Sequence, residues 1–217
     1  MAFVAIDPET REIHDANWFH LNRKKVGSCL VCDAEMELRA ESSITTAVHF
    51  WHGLGSTCTS IKKNRKRYED LPPSSIDKQS GVRLRGEVRE NLYAIYQACN
   101  IIVDGLKYAE FRELIVKASD KGIWDYKGFQ LNYVPYVLVT FHEMFYAKDS
   151  KRREDKFYIV LEPAIRCLDD LWNMPKSIKQ SIWKVSPDKG VIEAIPIKPI
   201  LDPVPDWFKV AARRLPI

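Results

Sequence analysis

The sequence has no apolar run long enough to span a bilayer. A transmembrane helix needs roughly 20 predominantly apolar residues, whereas the longest run here, Tyr133 to Thr140, is far shorter and contains Pro135. The start, Met-Ala-Phe-Val-Ala-Ile-Asp-Pro, lacks the charged beginning and the apolar stretch of a secretory signal, so a cytoplasmic protein with no membrane partner is expected. There is no phosphate-binding Gly-rich loop and no Gly-x-Ser-x-Gly elbow. Phe141-His142-Glu143-Met144-Phe145-Tyr146 begins like a His-Glu-x-x-His metalloprotease helix, but Tyr146 stands where the second histidine belongs. His142 is therefore read as a core or helix-surface residue. No catalytic residue is assigned, and a non-catalytic protein is expected.

Composition nevertheless describes a folding chain. Of its 217 residues, 46% are hydrophobic and 11% aromatic, enough to bury a core. Formal net charge is only +4, but it is unevenly spread. Residues 1–58 hold five basic and eight acidic side chains, whereas Lys62, Lys63, Arg65, Lys66 and Arg67 follow with no acid between them.

The chemistry is concentrated in one stretch. Cys29-Leu30-Val31-Cys32, His49-Phe50-Trp51-His52 and Cys58 bring together three of the five cysteines and two of the five histidines. Thiolate and imidazole are the ligands tetrahedral zinc prefers, and a two-residue gap lets one turn aim two sulfurs at one point. In a reducing compartment such a pair is a metal site rather than a disulfide. One structural zinc is expected on Cys29, Cys32, His52 and Cys58, with His49 as the alternative ligand. His49 and His52 are three apart, and on a strand such residues face opposite ways, so both can serve only if the strand ends between them. Cys99 and Cys167 sit in apolar surroundings and are read as small core residues.

Residues 2–6 suggest a short strand ahead of an Asp7-Pro8-Glu9-Thr10 turn, and residues 35–40 and 44–51 a hairpin. Leu71-Pro72-Pro73-Ser74-Ser75 reads as a linker. Beyond it the hydrophobic period lengthens to about 3.6, giving helices over residues 86–103, 107–120 (capped by Gly122) and 134–147. Residues 156–172 read as a helix or as a strand at 157–161 followed by a helix from Pro163, and residues 176–184 as one or two further helical turns. The proline-rich stretch from Pro187 onward reads as extended and irregular. The expected fold is α+β: a small zinc-bound β-ribbon with its basic extension (1–75), a mainly helical domain (82–186) and a proline-rich tail (187–217).

The order Ala5-Ile6-Asp7, Cys29-Leu-Val-Cys32, His49-Phe-Trp-His52, Cys58 resembles the N-terminal zinc module of competence-protein-CoiA-like proteins, over about residues 2–60. Leu30 stands where that family's knuckle often has proline, and Asp33 where a glycine usually follows. The resemblance implies a zinc module, and in many members a nuclease-like domain after it. An acidic Glu-x-Lys signature for such a domain is matched only by Glu154-Asp155-Lys156, inside a charge run read as a solvated face.

Three functions follow as expectations. The first is binding of DNA or RNA through Lys62, Lys63, Arg65, Lys66 and Arg67, extended by Arg83, Arg85 and Arg89, with Trp51 and Tyr68 available for stacking. The second is a protein–protein adaptor or inhibitor using Trp124, Tyr126, Phe129, Trp172, Trp183 and Trp207. A divergent metal-dependent nuclease is the third.

Overall fold

A computed structural model describes residues 2–64, 71, 75–147, 153–161, 167, 169–173, 181–197, 206, 208, 212 and 213. The fold is α+β, with antiparallel sheets and helices.

Five short strands build the first sheet: β1 (Val4–Ile6), β2 (Ile13–Asp15), β3 (Val26–Ser28), β4 (Glu35–Arg39) and β5 (His49–His52), in the order β2-β1-β3-β4-β5. In β4, Glu35, Glu37 and Arg39 face out while Met36 and Leu38 face in, the alternation of a strand buried on one side. Ahead of β1, Ala2 exchanges both backbone hydrogen bonds with Phe50 of β5, at 3.2 and 2.7 Å, so the sheet curls toward closure. Helix α1 (Ala16–Leu21) starts at Asp15, whose carboxylate accepts from the Trp18 amide at 2.7 Å. It fills the curl with Phe19, packed edge-on against Phe50 at 4.9 Å.

Asp7, fully buried in the β1–β2 turn, accepts from the Glu9 amide, from Thr10 Oγ1 and from Lys24 Nζ at 2.8 and 2.9 Å. Lys24 holds its carboxyl below the usual value. One turn residue thus ties together two strands and the end of α1.

Gly27 of β3 is placed by packing rather than by backbone conformation. A Cβ there would lie 2.6 Å from Ala5 Cβ and 3.1 Å from Phe19 Cζ. Gly27→Ala is therefore expected to cost about 2 kcal/mol, the usual scale of overpacking. Thermal unfolding checks this, and an unchanged midpoint would contradict the packing.

The helical layer contains α2 (Lys78–Glu90), α3 (Leu92–Ile102), α4 (Tyr108–Asp120) and α5 (Val134–Thr140). Asp77 caps α2 by accepting from the Gln79 and Ser80 amides, both at 3.1 Å. Gly122, at φ 64°, ends α4 as the sequence suggests. The single helix expected over 86–103 is instead two. Asn91 interrupts it at φ −107°, ψ 17°, its side-chain amide donating to the Glu87 carbonyl at 2.8 Å. The Asn91 backbone amide donates to the same carbonyl at 3.0 Å. The helix expected over 134–147 stops at Thr140, whose hydroxyl bonds back to the Val137 carbonyl, and Phe145 then pairs with Phe157.

A second sheet has the order β6 (Tyr158–Leu161), β7 (Ser181–Ser186), β8 (Gly190–Pro196), and a short helix, α6 (Asp170–Asn173), lies among the described residues between β6 and β7. Two expectations are corrected here. Residues 181–184 are strand rather than helical turns, and residues 190–196 are strand rather than irregular tail. The reason is a hairpin at Pro187-Asp188-Lys189-Gly190: Ser186 Oγ accepts from the Asp188 and Lys189 amides and Gly190 takes φ 78°. Prolines initiate the turn and end β8 instead of breaking it.

This second sheet lies between the two halves. On one face Phe157, Ile159, Leu161 and Ile182 join the helical core. On the other, Tyr158, Val160, Trp183, Val185 and Val191 join the core of the first sheet, with Phe19, Met36 and Phe50. Along β6 and β7 alternate residues serve the two sides. The linker residues 72–74, the region from Pro163 to 166 and most of the sequence beyond 197 lie outside the described residues.

Candidate metal centre

The turn between β3 and β4 carries the first two ligands. Cys29 and Ala34 are joined at 2.8 Å, Asp33 donates its amide to the Cys29 carbonyl at 2.9 Å, and the Val31 amide points to Cys29 Sγ at 3.4 Å. Asp33 adopts φ 56°, a left-handed conformation that aspartate enters more readily than most residues. That turn aims both sulfurs toward the end of β5 and the chain that follows.

Cys29, Cys32, His52 and Cys58 converge there. Their ligand atoms all lie within 4.8 Å of one another, with Cys29 Sγ 3.9 Å from Cys58 Sγ and Cys32 Sγ 3.7 Å from His52 Nε2. Zn–S bonds of about 2.3 Å and Zn–N bonds of about 2.0 Å place tetrahedral ligand atoms about 3.5–3.8 Å apart. The four residues are positioned to bind one metal ion. Cys29 and Cys58 are buried and the other two half-buried, so the ion would be shielded from water.

The crowding of the four side chains couples their titration. Hydrogen bonds with Cys32 and Cys58 push the Cys29 thiol up, while bonds from Cys29 and Cys32 hold Cys58 far down. Three sulfurs this close cannot share several negative charges without a counter-charge. Burial works against the imidazolium of His52, but hydrogen bonds with Cys32 and Cys58 outweigh it and raise the ring to about 9. Ser60 Oγ lies 3.0 Å from Cys58 Sγ and supplies a hydroxyl to that sulfur.

His49 is outside this group. Strand β5 runs unbroken from His49 to His52, and its register with β4 pairs His52 with Met36 and His49 with Arg39. Directly opposed residues share a side of the sheet, so His52 follows buried Met36 inward and His49 follows exposed Arg39 outward. His49 Nδ1 instead meets the Ala47 carbonyl at 2.9 Å.

Of the basic run, Lys63 is exposed and lies in a short 3-10 turn, Lys62–Asn64. Asn64 Nδ2 donates to the carbonyls of Ser56 at 2.6 Å and Cys58 at 3.2 Å, and the Ile61 amide donates to Cys58 at 3.1 Å. The turn is thereby fastened to the last metal ligand, a tether that no sequence signal announced. Arg65, Lys66, Arg67 and Tyr68 lie outside the described residues. Arg85 is held by Asp125 at 2.8 Å and Arg83 by Ser80 at 3.0 Å.

A cleft of about 490 Å³ opens between this module and the β7–β8 hairpin, with His52, Leu54 and Lys63 on one side and Met144, Tyr158 and Val191 on the other. Tyr158 crosses it by donating its hydroxyl to the Ser60 carbonyl at 3.2 Å.

Other candidates resolve into structure. Trp124, Phe129 and Trp183 are buried in the cores and offer no contact surface. Asp155 and Lys156 are tied to Lys189 and Asp188 of the β7–β8 turn, at 2.8 and 3.0 Å, as surface ion pairs. His142 rests against Phe145, and burial lowers its affinity for a proton. Cys99 is fully buried and its thiol points to the Pro135 carbonyl. No helix among the described residues is long and apolar enough to cross a membrane. No family model, curated protein or solved structure matches the chain.

Proposed function

We propose that the metal is a single structural zinc and that the module it folds binds nucleic acid through the basic run 62–67. Three thiolates and one imidazole form a soft donor set suited to zinc. Four protein ligands leave no open position for a catalytic water, so the ion serves folding. Elemental analysis is expected to find about one zinc per chain, as a single four-ligand site requires.

The observation that carries the binding reading is the double hydrogen bond from Asn64 to the carbonyls of Ser56 and Cys58. It fastens Asn64, which follows Lys62 and Lys63 in the basic run, to the loop that carries the ligand Cys58. Phosphate-bound counterions released by such a patch drive affinity without sequence readout. Replacing Lys62, Lys63, Arg65, Lys66 and Arg67 together by Ala is expected to flatten the dependence of log K on log salt, by roughly 0.7–0.9 for each lost phosphate contact. Fluorescence anisotropy with labelled DNA and RNA across a salt series measures the slope. Wild-type protein that shows no salt-sensitive binding would overturn the reading and leave the adaptor function in its place.

A further inference from the structure

The three sulfurs of the candidate metal centre are not equivalent. Cys29 and Cys58 are only 2% and 3% exposed, whereas Cys32 is half-buried. Cys32 Sγ lies 3.7 Å from His52 Nε2, and His52 in turn lines the cleft of about 490 Å³. A small solute in that cleft is one side chain away from the Cys32 sulfur. Cys29 Sγ and Cys58 Sγ both lie within 4.8 Å of Cys32 Sγ. An accessible sulfur with a second sulfur beside it is the arrangement in which thiols oxidise reversibly, because the neighbour traps the first product as a disulfide. Cys99 differs on both counts: it has no exposure, and its thiol meets the Pro135 carbonyl at 3.6 Å.

Resting on the metal site proposed above, we infer that Cys32 is a site of reversible oxidation by peroxide, resolved by Cys29, and that this oxidation and metal binding exclude one another. The Cys32 sulfur attacks one oxygen of hydrogen peroxide and the O–O bond breaks. Sulfur keeps that oxygen as a sulfenic acid, and the other oxygen leaves as water with the thiol proton. The Cys29 sulfur then attacks Cys32, the S–O bond breaks, and the hydroxyl leaves as a second water with the Cys29 proton. Two thiols are thus oxidised to a disulfide and one peroxide is reduced to two waters. Cys29 resolves rather than Cys58 because it shares one turn with Cys32, and a short loop closes at less entropic cost than a long one. The Cys29–Ala34 and Asp33–Cys29 backbone bonds hold that turn together, whereas Cys58 comes from the loop after β5. Once Cys29 and Cys32 are joined, His52 and Cys58 alone are too few for a structural zinc. The loss reaches further: Ser60 stands 3.0 Å from Cys58 Sγ and its carbonyl accepts from Tyr158 of the second sheet. In a reducing compartment such a disulfide is transient, the mark of a redox-sensing pair.

The test treats full-length zinc-loaded protein with hydrogen peroxide and follows released zinc with a chromogenic chelator. About one zinc per chain is expected to leave, the content of a single four-ligand site, and dithiothreitol with added zinc should restore it. Trypsin cleaves after Lys25, Arg39 and Lys62, so Cys29 and Cys32 share the peptide 26–39 while Cys58 lies in 40–62. After oxidation the peptide 26–39 should be lighter by two hydrogens and not joined to 40–62, with Cys99 still a thiol. Dimedone present during the reaction traps sulfenic acid and should label Cys32, not Cys29. A disulfide joining 26–39 to 40–62, or dimedone on Cys29, overturns the roles given to these two residues. Zinc retained under peroxide, or Cys99 oxidised as fast as Cys32 in the native protein, overturns the oxidation site while the metal reading stands. Protein that carries no zinc before peroxide is added removes the metal reading itself.

Discussion

Cys58→Ser is expected to release the metal and unfold the first sheet. The four ligands come from three separate places in the chain: the β3–β4 turn, the end of β5 and the loop after it. A bound ion would therefore cross-link segments whose own contacts are few, because the strands are only three to five residues long. Structural zinc supplies about 10–16 kcal/mol in small finger peptides at neutral pH, as much as the whole stability of an ordinary domain. Removing one thiolate forfeits most of that. Loss of the module would also uncover Trp183, Val185 and Val191, which pack against it. Metal content by elemental analysis and hydrogen exchange at β4 and β5 measure both effects. His49→Ala is the control and should keep a full equivalent of metal, since His49 faces the other side of β5. A Cys58→Ser protein that retained full metal, or a His49→Ala protein that lost it, would exchange the fourth ligand.

Arg153→Met should be the most damaging substitution in the other half of the molecule, by about 3–5 kcal/mol, the cost of breaking a buried charge network by removing one partner. Arg153 is 1% exposed, and its guanidinium donates to the carbonyls of Val103 at 2.9 Å and Gly105 at 3.0 Å. It also reaches the Tyr146 carbonyl and Glu110, both at 3.4 Å, and lies over the Phe145 ring. It thus closes the end of α3 and joins it to α4 and to the approach to β6. A methionine fills the space but donates nothing, and carbonyls buried with a missing donor are costly.

Lys184 gives the contrast. It is 2% exposed and pairs with Asp104 at 2.6 Å and Glu193 at 2.7 Å. Those carboxylates are roughly half exposed, so either can turn to water when the ammonium is gone. Lys184→Met is therefore expected to change stability by less than about 1 kcal/mol. Urea midpoints at constant m-value compare the two variants. Equal losses would show that partner burial does not decide the outcome.

Parts of this architecture are legible in the residues alone. Helix α4 is announced by its apolar period and Gly122, and β4 by strict alternation. The second sheet is not, for a physical reason: β6 is buried on both faces and β7 nearly so, which erases the alternation that identifies a strand. Its prolines also read as breakers when they serve as the turn and the end of β8. Asn91 splits a convincing helical period by turning its backbone to φ −107°, ψ 17°, although its amide still donates to the Glu87 carbonyl at 3.0 Å.

By itself the sequence determined the ligand chemistry: three cysteines and two histidines in thirty residues, followed by a run of cations. Only the tertiary structure decided which histidine joins the sulfurs. Composition cannot distinguish His49 from His52, because both carry the same ring. The choice lies in the register of β5 against β4, which turns His52 inward beside Met36 and His49 outward beside Arg39. Register is settled by which face of the strand must be buried, and a slip of one residue would reverse it. Phe50, opposite Leu38 and with no exposure to solvent, sets that face. The candidate metal centre is therefore chosen by the packing of a phenylalanine that is not among its ligands.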